Sequence, residues 1–377
     1  MYGDLSGAAA KGYGKEFYNY DRNGERKLKL QQNVFRFSAA KTYQEQAFLN
    51  YLLKDETGNR RSFADFKKEA LKLDIEYNQN YLKTELQTFQ RASAMAEKWG
   101  KYEEQKGLYP NLQYKTAKDD RVREDHAELL DIIKPIGDRF WDKWYPPNGW
   151  NCRCYVVQTD KQAISGTPEG DPTLGFHNNP GKTSQPVDTE HPYYIFPKKE
   201  VGKIRTSFEG LKENLPMYSE VHKKGKGSLE LSVWADPADI FINMQAGKVL
   251  VDKLAAKVKI RPHIDATIKK GYKNPEFEIN GIVGDLKGIS SNMGIKNGFT
   301  SAKKQMGNLE SYTVVFSLDK IKSIDLSTII IELRNRISPN RGKKIKSVFF
   351  TYKAKAIELK RDDIIAGKFE KLIELVK

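Results

Sequence analysis

Between residues 40 and 106 the apolar positions recur at three- and four-residue spacings. FADFKKEALKLDIEY and LKTELQTFQRASAMAEKWGKYEEQ set Phe, Leu, Ile, Ala and Trp among Lys and Glu. That period lines the apolar side chains along one stripe of a helix, so the stretch predicts α-helices. From Leu108 to Val157 it gives way to a turn-rich, aromatic sequence. Residues 160–191 are dense in Gly, Pro, Asn, Ser and Thr and predict loop. The polar, basic KKGKGS at 223–228 predicts the middle of a linker.

Beyond it, helical and strand patterns alternate. DIFINMQAGKVLVDKLAA (239–256) predicts a helix, 257–262 a short strand, 276–288 a hairpin and 299–306 a helix. SYTVVFSL (311–318) predicts a strand, 324–336 a helix, IKSVFFTY (345–352) a strand, and 362–376 a final amphipathic helix. Such an order predicts an α/β sheet with helices on its faces. The expected class is therefore α+β in two domains: a helix-rich domain over 1–200, a linker over 201–235, and an α/β domain over 236–377. The length of 377 residues fits that count.

Charge sharpens the division. Residues 236–377 hold 27 Lys and Arg against 16 Asp and Glu, so they carry +11 of the formal +15. A basic domain favours a polyanionic partner, nucleic acid first, because neutralised phosphates release counterions. No apolar run reaches the roughly 18–20 residues that span a bilayer. The N-terminus lacks the basic start and apolar stretch of a secretory signal, which leads to the expectation of synthesis and folding in a bacterial cytoplasm. The two cysteines, Cys152 and Cys154, are too close in sequence to staple distant segments, which excludes a disulfide framework.

Residues 114–160 contain Asp120-Arg121-Val122-Arg123, then His126, Phe140-Trp141, Pro146-Pro147, Trp150 and Cys152-Arg153-Cys154. Taken with FSAAKTYQEQ (37–46), the helices after it and His191-Pro192-Tyr193, this pattern resembles the phage head-morphogenesis family named after the Mu F protein, over roughly residues 15–200. The resemblance implies a minor capsid component in the virion head, near the portal, with phage portal and capsid proteins as partners and contact with packaged DNA. Read as chemistry, Cys152, Cys154 and His126, with His191 as a fourth ligand, could form a zinc site. The competing reading makes the cysteines small buried groups beside a strand, with His126 bonded to a backbone carbonyl.

The most informative C-terminal stretch is NPEFEINGIVGDLKG, residues 274–288. Asn280-Gly281 is the favoured loop of a type I′ hairpin. Closing that turn sets Ile279 opposite Ile282, Glu278 opposite Val283, Phe277 opposite Gly284 and Glu276 opposite Asp285. Side chains alternate between faces, so Glu276, Glu278, Val283, Asp285 and Lys287 share one, and Phe277, Ile279, Ile282 and Leu286 share an apolar one that should pack on a helix. Opposed carboxylates repel. A divalent cation between them would turn repulsion into ligation, and Lys287 would point at the same place. The alternative is an ordinary hairpin with a solvated charged face.

Acid followed by Asp-x-Lys on a hairpin resembles the PD-(D/E)xK nuclease superfamily, with Pro275-Glu276 and Asp285-Leu286-Lys287 as the two halves. The surrounding pattern, through a helix ending near Gln305 and the strand SYTVVFSL, resembles the toxin domains of contact-dependent inhibition proteins, several of them tRNA-cleaving. That resemblance covers roughly 236–355. It implies a metal-dependent endonuclease using Mg²⁺ or Mn²⁺, with Glu276 and Asp285 as metal ligands and Glu276, Asp285, Lys287 and Gln305 as catalytic residues. It further implies tRNA favoured over DNA as substrate, a cognate immunity protein as partner, and action in the host bacterial cytoplasm. The first helix departs from the pattern: residues 240–251 contain no acid, with Asp239 and Asp252 flanking the gap and Asn243 or Gln245 available in its place.

Basic clusters that could hold a nucleic-acid backbone are Lys269-Lys270, Arg341-Lys343-Lys344-Lys346 and Lys353-Lys355-Lys360-Arg361, and Tyr312, Phe349, Phe350 and Tyr352 are either base-stacking or core residues. His263 is the sole histidine of 236–377, which excludes a two-histidine ribonuclease inside those residues. The remaining alternative is a purely structural minor capsid protein with an inactive, DNA-binding C-terminal domain.

Overall fold

The computed structural model describes all residues except Ser165, Thr167 and Glu169, which fall in the expected 160–191 loop and lie outside the described residues. The chain separates into two compact units, Met1–Lys198 and Lys199–Lys377. Its mixed helix and sheet content matches the α+β, two-domain expectation.

Unit 1 opens with helices α1 (Tyr2–Tyr13), α2 (Gly24–Tyr51) and α3 (Phe63–Asp74), which runs through a π-helical segment (Ile75–Tyr81) into α4 (Leu82–Gln105). Leu5, Ala9, Leu30, Val34, Phe37, Phe89 and Ala96 form one apolar core among α1, α2 and α4. Gly12 permits the closest approach, since a Cβ there would lie 1.9 Å from the Gln90 carbonyl oxygen. Inside this packing Lys41 Nζ donates to Glu85 Oε2 and to the Tyr77 carbonyl, both at 2.7 Å. The pair satisfies charges that could not otherwise be buried.

After α4 come β1 (Asn111–Lys115), the single turn α5 (Glu124–Ala127), β2 (Ile133–Pro135), α6 (Phe140–Trp144), β3 (Tyr155–Thr159) and α7 (Pro180–Thr183). The strands form a small antiparallel sheet in the order β2-β1-β3. Its residues Leu112, Tyr114 and Val156 join Met95 and Trp99 of α4, Trp141, Trp144 and both cysteines in a second core.

Unit 2 is built on an eight-stranded sheet. Its elements are α8 (Lys198–Asn214), β4 (Tyr218–Lys224), β5 (Gly227–Ser232), α9 (Ile240–Leu254), β6 (Lys257–Ile260), β7 (Phe277–Ile279) and β8 (Ile282–Gly288). They continue with α10 (Gly294–Met306), β9 (Tyr312–Ser317), α11 (Leu326–Arg336), β10 (Ile345–Tyr352), β11 (Lys355–Lys360), α12 (Arg361–Ile365) and α13 (Glu370–Val376). The order is β11-β10-β9-β8-β7-β6-β5-β4, with β5/β6, β8/β9 and β9/β10 parallel. One face carries Leu229, Val258, Ile279, Ile260 and Phe277 in register, and α9 lies against β5 and β6 there. The other face carries Val314, Phe316, Val348 and Phe350, packed with residues of α10, α11 and α13.

Three expectations need correction. The linker over 201–235 is α8 and the β4–β5 hairpin; KKGKGS is that hairpin's turn, with Gly225 at φ 58. The strand β11 was not foreseen. The final helix is two helices, broken by Gly367 at φ 75.

Candidate functional site

The Asn280-Gly281 turn closes as its sequence demands, both residues having positive φ (50 and 81). The register is Ile279↔Ile282, Glu278↔Val283 and Phe277↔Gly284, as expected. Phe277, Ile279 and Leu286 are buried and Ile282 is half-buried. Regular β7 stops at Phe277. One residue earlier, the Glu276 carboxylate reaches across and accepts the Leu286 amide at 3.1 Å. This fixes the acid beside Asp285.

Asp285 is completely buried, and among the described residues neither carboxylate oxygen has a hydrogen-bond partner. Lys287 Nζ lies 2.7 Å from Oδ2, an ion-pair contact without hydrogen-bond geometry. Burial, and then the neighbouring Glu276, push the Asp285 carboxyl up to about 8 against the pull of Lys287. A buried carboxylate with idle oxygens is costly, and a hard cation taking oxygen ligands is one of the few groups that would satisfy it. The donor set of Glu276 and Asp285 fits Mg²⁺ or Mn²⁺.

A cavity of about 150 Å³ adjoins Glu276 and is lined by Asp239, Asn243 and Gln305 among others. Gln305 stands on the sheet-facing stripe of α10, seven residues after Gly298, where a Cβ would meet Phe316 at 2.4 Å, and three after the buried Ala302. Asn243 and Asp239 come from the first turn and N-cap of α9. The Asp239 pKa is raised by burial, then by Asp236 and Glu276. Asp252 belongs elsewhere: it accepts from His222 Nε2 at 2.7 Å, near the other end of α9. Gln245 does not line the cavity.

Sequence reading missed Asp236, Arg261 and His263, which also line it. His263 Nδ1 stands 3.4 Å from Asp236 Oδ2, and Arg261 donates from Nη1 to the Pro275 carbonyl at 2.9 Å. These residues sit at strand ends and loops, where spacing carries no signal; Asp236, three residues before Asp239, was the only hint. Of the basic clusters, Lys269 pairs with Glu213, and Arg361 is spent on the Ser338 carbonyl at 2.6 Å. Arg341, Lys343 and Lys344, with Lys296, Lys303 and Arg336, line a larger cavity of about 890 Å³ between α10 and α11. Tyr312, Phe349 and Phe350 are core residues, and Tyr352 is half-buried.

In unit 1 the thiols of Cys152 and Cys154 come together just before β3, while the Arg153 between them forms an ion pair with Asp119. His126, on the one-turn α5, meets them. Its Nδ1 is 3.8 Å from Cys154 Sγ, and among the described residues its Nε2 has no hydrogen-bond partner. The backbone-carbonyl bond of the competing reading is not formed. Hydrogen bonding with Cys154, then His126, holds the Cys152 thiol well below its usual pKa despite burial, while Cys152 raises that of Cys154. Burial works against the His126 imidazolium, but Cys152 and Asp125 carry its pKa above the ordinary value. His191 does not join the cluster. It caps the turn Pro192–Tyr194, its Nδ1 accepting the Tyr193 amide at 3.2 Å, and packs among Phe37, Trp150 and Tyr193.

The two units thus define a class: a helical unit bearing a Cys-His cluster, and a basic α/β unit bearing a paired-carboxylate hairpin. Within it, residues 55–157 match the family model described as "Phage Mu protein F like protein". Over those residues the N-terminal unit is thus similar to Mu F-like proteins. Among curated relatives, "Putative capsid assembly protein F" of Escherichia phage Mu is 51% identical over 49 residues, covering 13% of this chain and 11% of that protein. "Mu-like prophage FluMu F protein" of Haemophilus influenzae is 31% identical over 83 residues, covering 22% and 20%. The chain thus spans a fifth or less of the relatives it matches. A solved "CdiA-CT/CdiI toxin and immunity complex from Burkholderia pseudomallei" aligns at 17% identity and TM-score 0.25, over 33% of this chain and 85% of that one. A likeness at that score supports nothing about this chain's chemistry. No helix among the described residues is long and apolar enough to cross a membrane.

Proposed function

We infer that the protein is a phage or prophage minor head protein whose C-terminal unit is a metal-dependent nuclease. The observation that carries the enzymatic half is Asp285, buried with both oxygens unbonded between Glu276 and Lys287. A site organised only for stability would not bury a carboxyl beside a second acid with its oxygens unbonded. Glu276 and Asp285 would hold Mg²⁺ or Mn²⁺, which when bound supplies positive charge to the phosphoryl group under attack. The chain's own residues do the rest. The Leu286 amide orients Glu276, and the Lys287 amine beside Asp285 would offset the negative charge that develops on the phosphate. Gln305 and Asn243 offer uncharged hydrogen-bonding groups in the adjoining cavity, suited to positioning a water or a phosphate oxygen.

The head-assembly half is supported by the family match over 55–157. Its partners are portal and capsid proteins, and its place is the virion head. For the nuclease we favour tRNA over DNA, cleaved in the host bacterial cytoplasm and restrained by a cognate immunity protein; the resemblance of residues 274–288 to contact-dependent inhibition toxins supports this.

The test uses the full chain on total tRNA and on plasmid DNA, with Mg²⁺, with Mn²⁺ and with chelator. Metal-dependent cleavage is expected, falling by about 10²–10³-fold or more in Asp285→Asn and Lys287→Ala. No cleavage of either substrate, or variants as active as the parent, would remove the nuclease and leave a structural head protein with a DNA-binding unit. Cleavage that resists EDTA would point to a metal-independent chemistry instead.

A further inference from the structure

We propose that His126, Cys152 and Cys154 bind a zinc ion through three protein ligands, with an exchangeable fourth position that faces a small cavity. The inference concerns unit 1 alone and is independent of the nuclease reading.

The ligand atoms of the three residues all lie within 4.8 Å of one another, and all three residues are buried, with exposures of 2%, 4% and 8%. Tetrahedral zinc with bonds of ~2.3 Å to sulfur and ~2.0–2.1 Å to nitrogen separates a thiolate from an imidazole nitrogen by about 3.5 Å and two thiolates by about 3.8 Å. The 3.8 Å between His126 Nδ1 and Cys154 Sγ is already near that distance. It is long for a hydrogen bond that would by itself justify burying the ring.

A second observation comes from the far side of the imidazole. Nε2 is buried and unpartnered, and Asp125 Oδ2 is 3.9 Å from it. Metal-bound histidines commonly hand their remaining N–H to a carboxylate, which fixes the tautomer and strengthens the ligand. Binding at Nδ1 would leave Nε2–H on the side of the Asp125 carboxylate.

The surroundings suit two thiolates. Arg91 donates to the Cys152 carbonyl at 3.2 Å, and Arg123 donates to the Trp150 carbonyl at 2.8 Å. The adjoining cavity, about 80 Å³, is lined by Arg121, Arg123 and Asn151 and has room for water. Among the described residues no fourth Cys, His, Asp or Glu lines it, so the fourth ligand is water or a small anion. Zinc displaces the two thiol protons to solvent, leaving a neutral Zn–dithiolate–imidazole centre. It would tie the irregular Asp119–Ala127 segment to the start of β3.

The test is the metal content of full-length protein purified from zinc-supplemented culture without chelator. One zinc per chain is expected, kept in Asp285→Asn and lost in Cys152→Ser and His126→Gln. Because those variants could fold poorly, the unaltered protein is also stripped and titrated with Co²⁺. A thiolate-to-cobalt charge-transfer band is expected, perturbed by added cyanide at the open position. A zinc-free protein that takes up cobalt without that band overturns the proposal. So does zinc that follows Asp285 rather than the cysteines, or a Cys152–Cys154 disulfide in the freshly purified chain.

Discussion

Asp285 and His191 are both buried titratable side chains, and they carry opposite consequences. Asp285 is a buried carboxyl whose oxygens accept no hydrogen bond among the described residues, and burial beside Glu276 raises its pKa to about 8. His191 is a neutral group the fold has satisfied: its Nδ1 accepts a backbone amide while its ring is enclosed by aromatic neighbours. Burial lowers its pKa from 6.5 to about 4, opposed by Asp188. The folded state therefore holds this proton less tightly than the unfolded chain. Above pH 6.5 both states are neutral there and nothing changes. Between 6.5 and 4 the unfolded chain takes up a proton that the fold refuses, so stability falls as pH falls, by up to about 3 kcal/mol at the lower end. Thermal melts of the protein and of His191→Asn between pH 7.5 and 4.5 measure this. The variant starts less stable but should lose distinctly less on acidification, and parallel curves would show that His191 is not the group responsible.

At the scale of elements, what the sequence reveals depends on whether a turn's backbone requires a particular residue type. The β7–β8 hairpin was legible because Asn280-Gly281 is among the few dipeptides that take two positive φ values cheaply. The β10–β11 hairpin makes the same demand with Lys353 and Ala354 at φ 44 and 60, and neither residue advertises a turn. The edge hairpin β4–β5 was hidden for another reason. Most of β4 is exposed or half-exposed, so its apolar residues are too few to show a strand's alternation and its turn reads as linker. Candidate-site residues divide likewise: Glu276, Asp285, Lys287 and Gln305 carry a recognisable spacing, whereas Arg261 and His263 enter through loops placed only by the fold. His191 was drawn to the cysteines by its chemistry, but its turn sets it among aromatic rings instead. Replacing Lys353→Asn together with Ala354→Gly should relieve the strain of the β10–β11 turn and stabilise unit 2 by about 1 kcal/mol. Chemical denaturation followed by a unit 2 probe such as Trp234 fluorescence checks it; an unchanged or lowered midpoint would mean that the native turn bears no such cost.

For the whole molecule, the division at Lys198/Lys199 redistributes charge more sharply than the sequence suggested. Met1–Lys198 holds 30 Lys and Arg against 28 Asp and Glu, and Lys199–Lys377 holds 34 against 21. The first is close to neutral. The second carries nearly all the net positive charge, and six of its cations converge on the cavity between α10 and α11. Gly342 helps to build that wall: at φ 63 it turns the chain where a Cβ would meet the Arg336 carbonyl at 2.5 Å, which brings Arg341, Lys343 and Lys344 across from Lys296 and Lys303. The basic lining makes this groove a candidate track for a nucleic-acid backbone. If the groove binds backbone phosphates, converting Lys303, Arg341 and Lys344 to Ala removes up to three contacts. The slope of log K against log salt should then become shallower by about 2 for a single strand and nearer 3 for a duplex. Fluorescence anisotropy with labelled RNA and DNA over a range of salt concentrations reads this directly. A lower affinity with an unchanged slope would mean that these residues shape the fold rather than touch phosphate, and would move the nucleic-acid path to another face of unit 2.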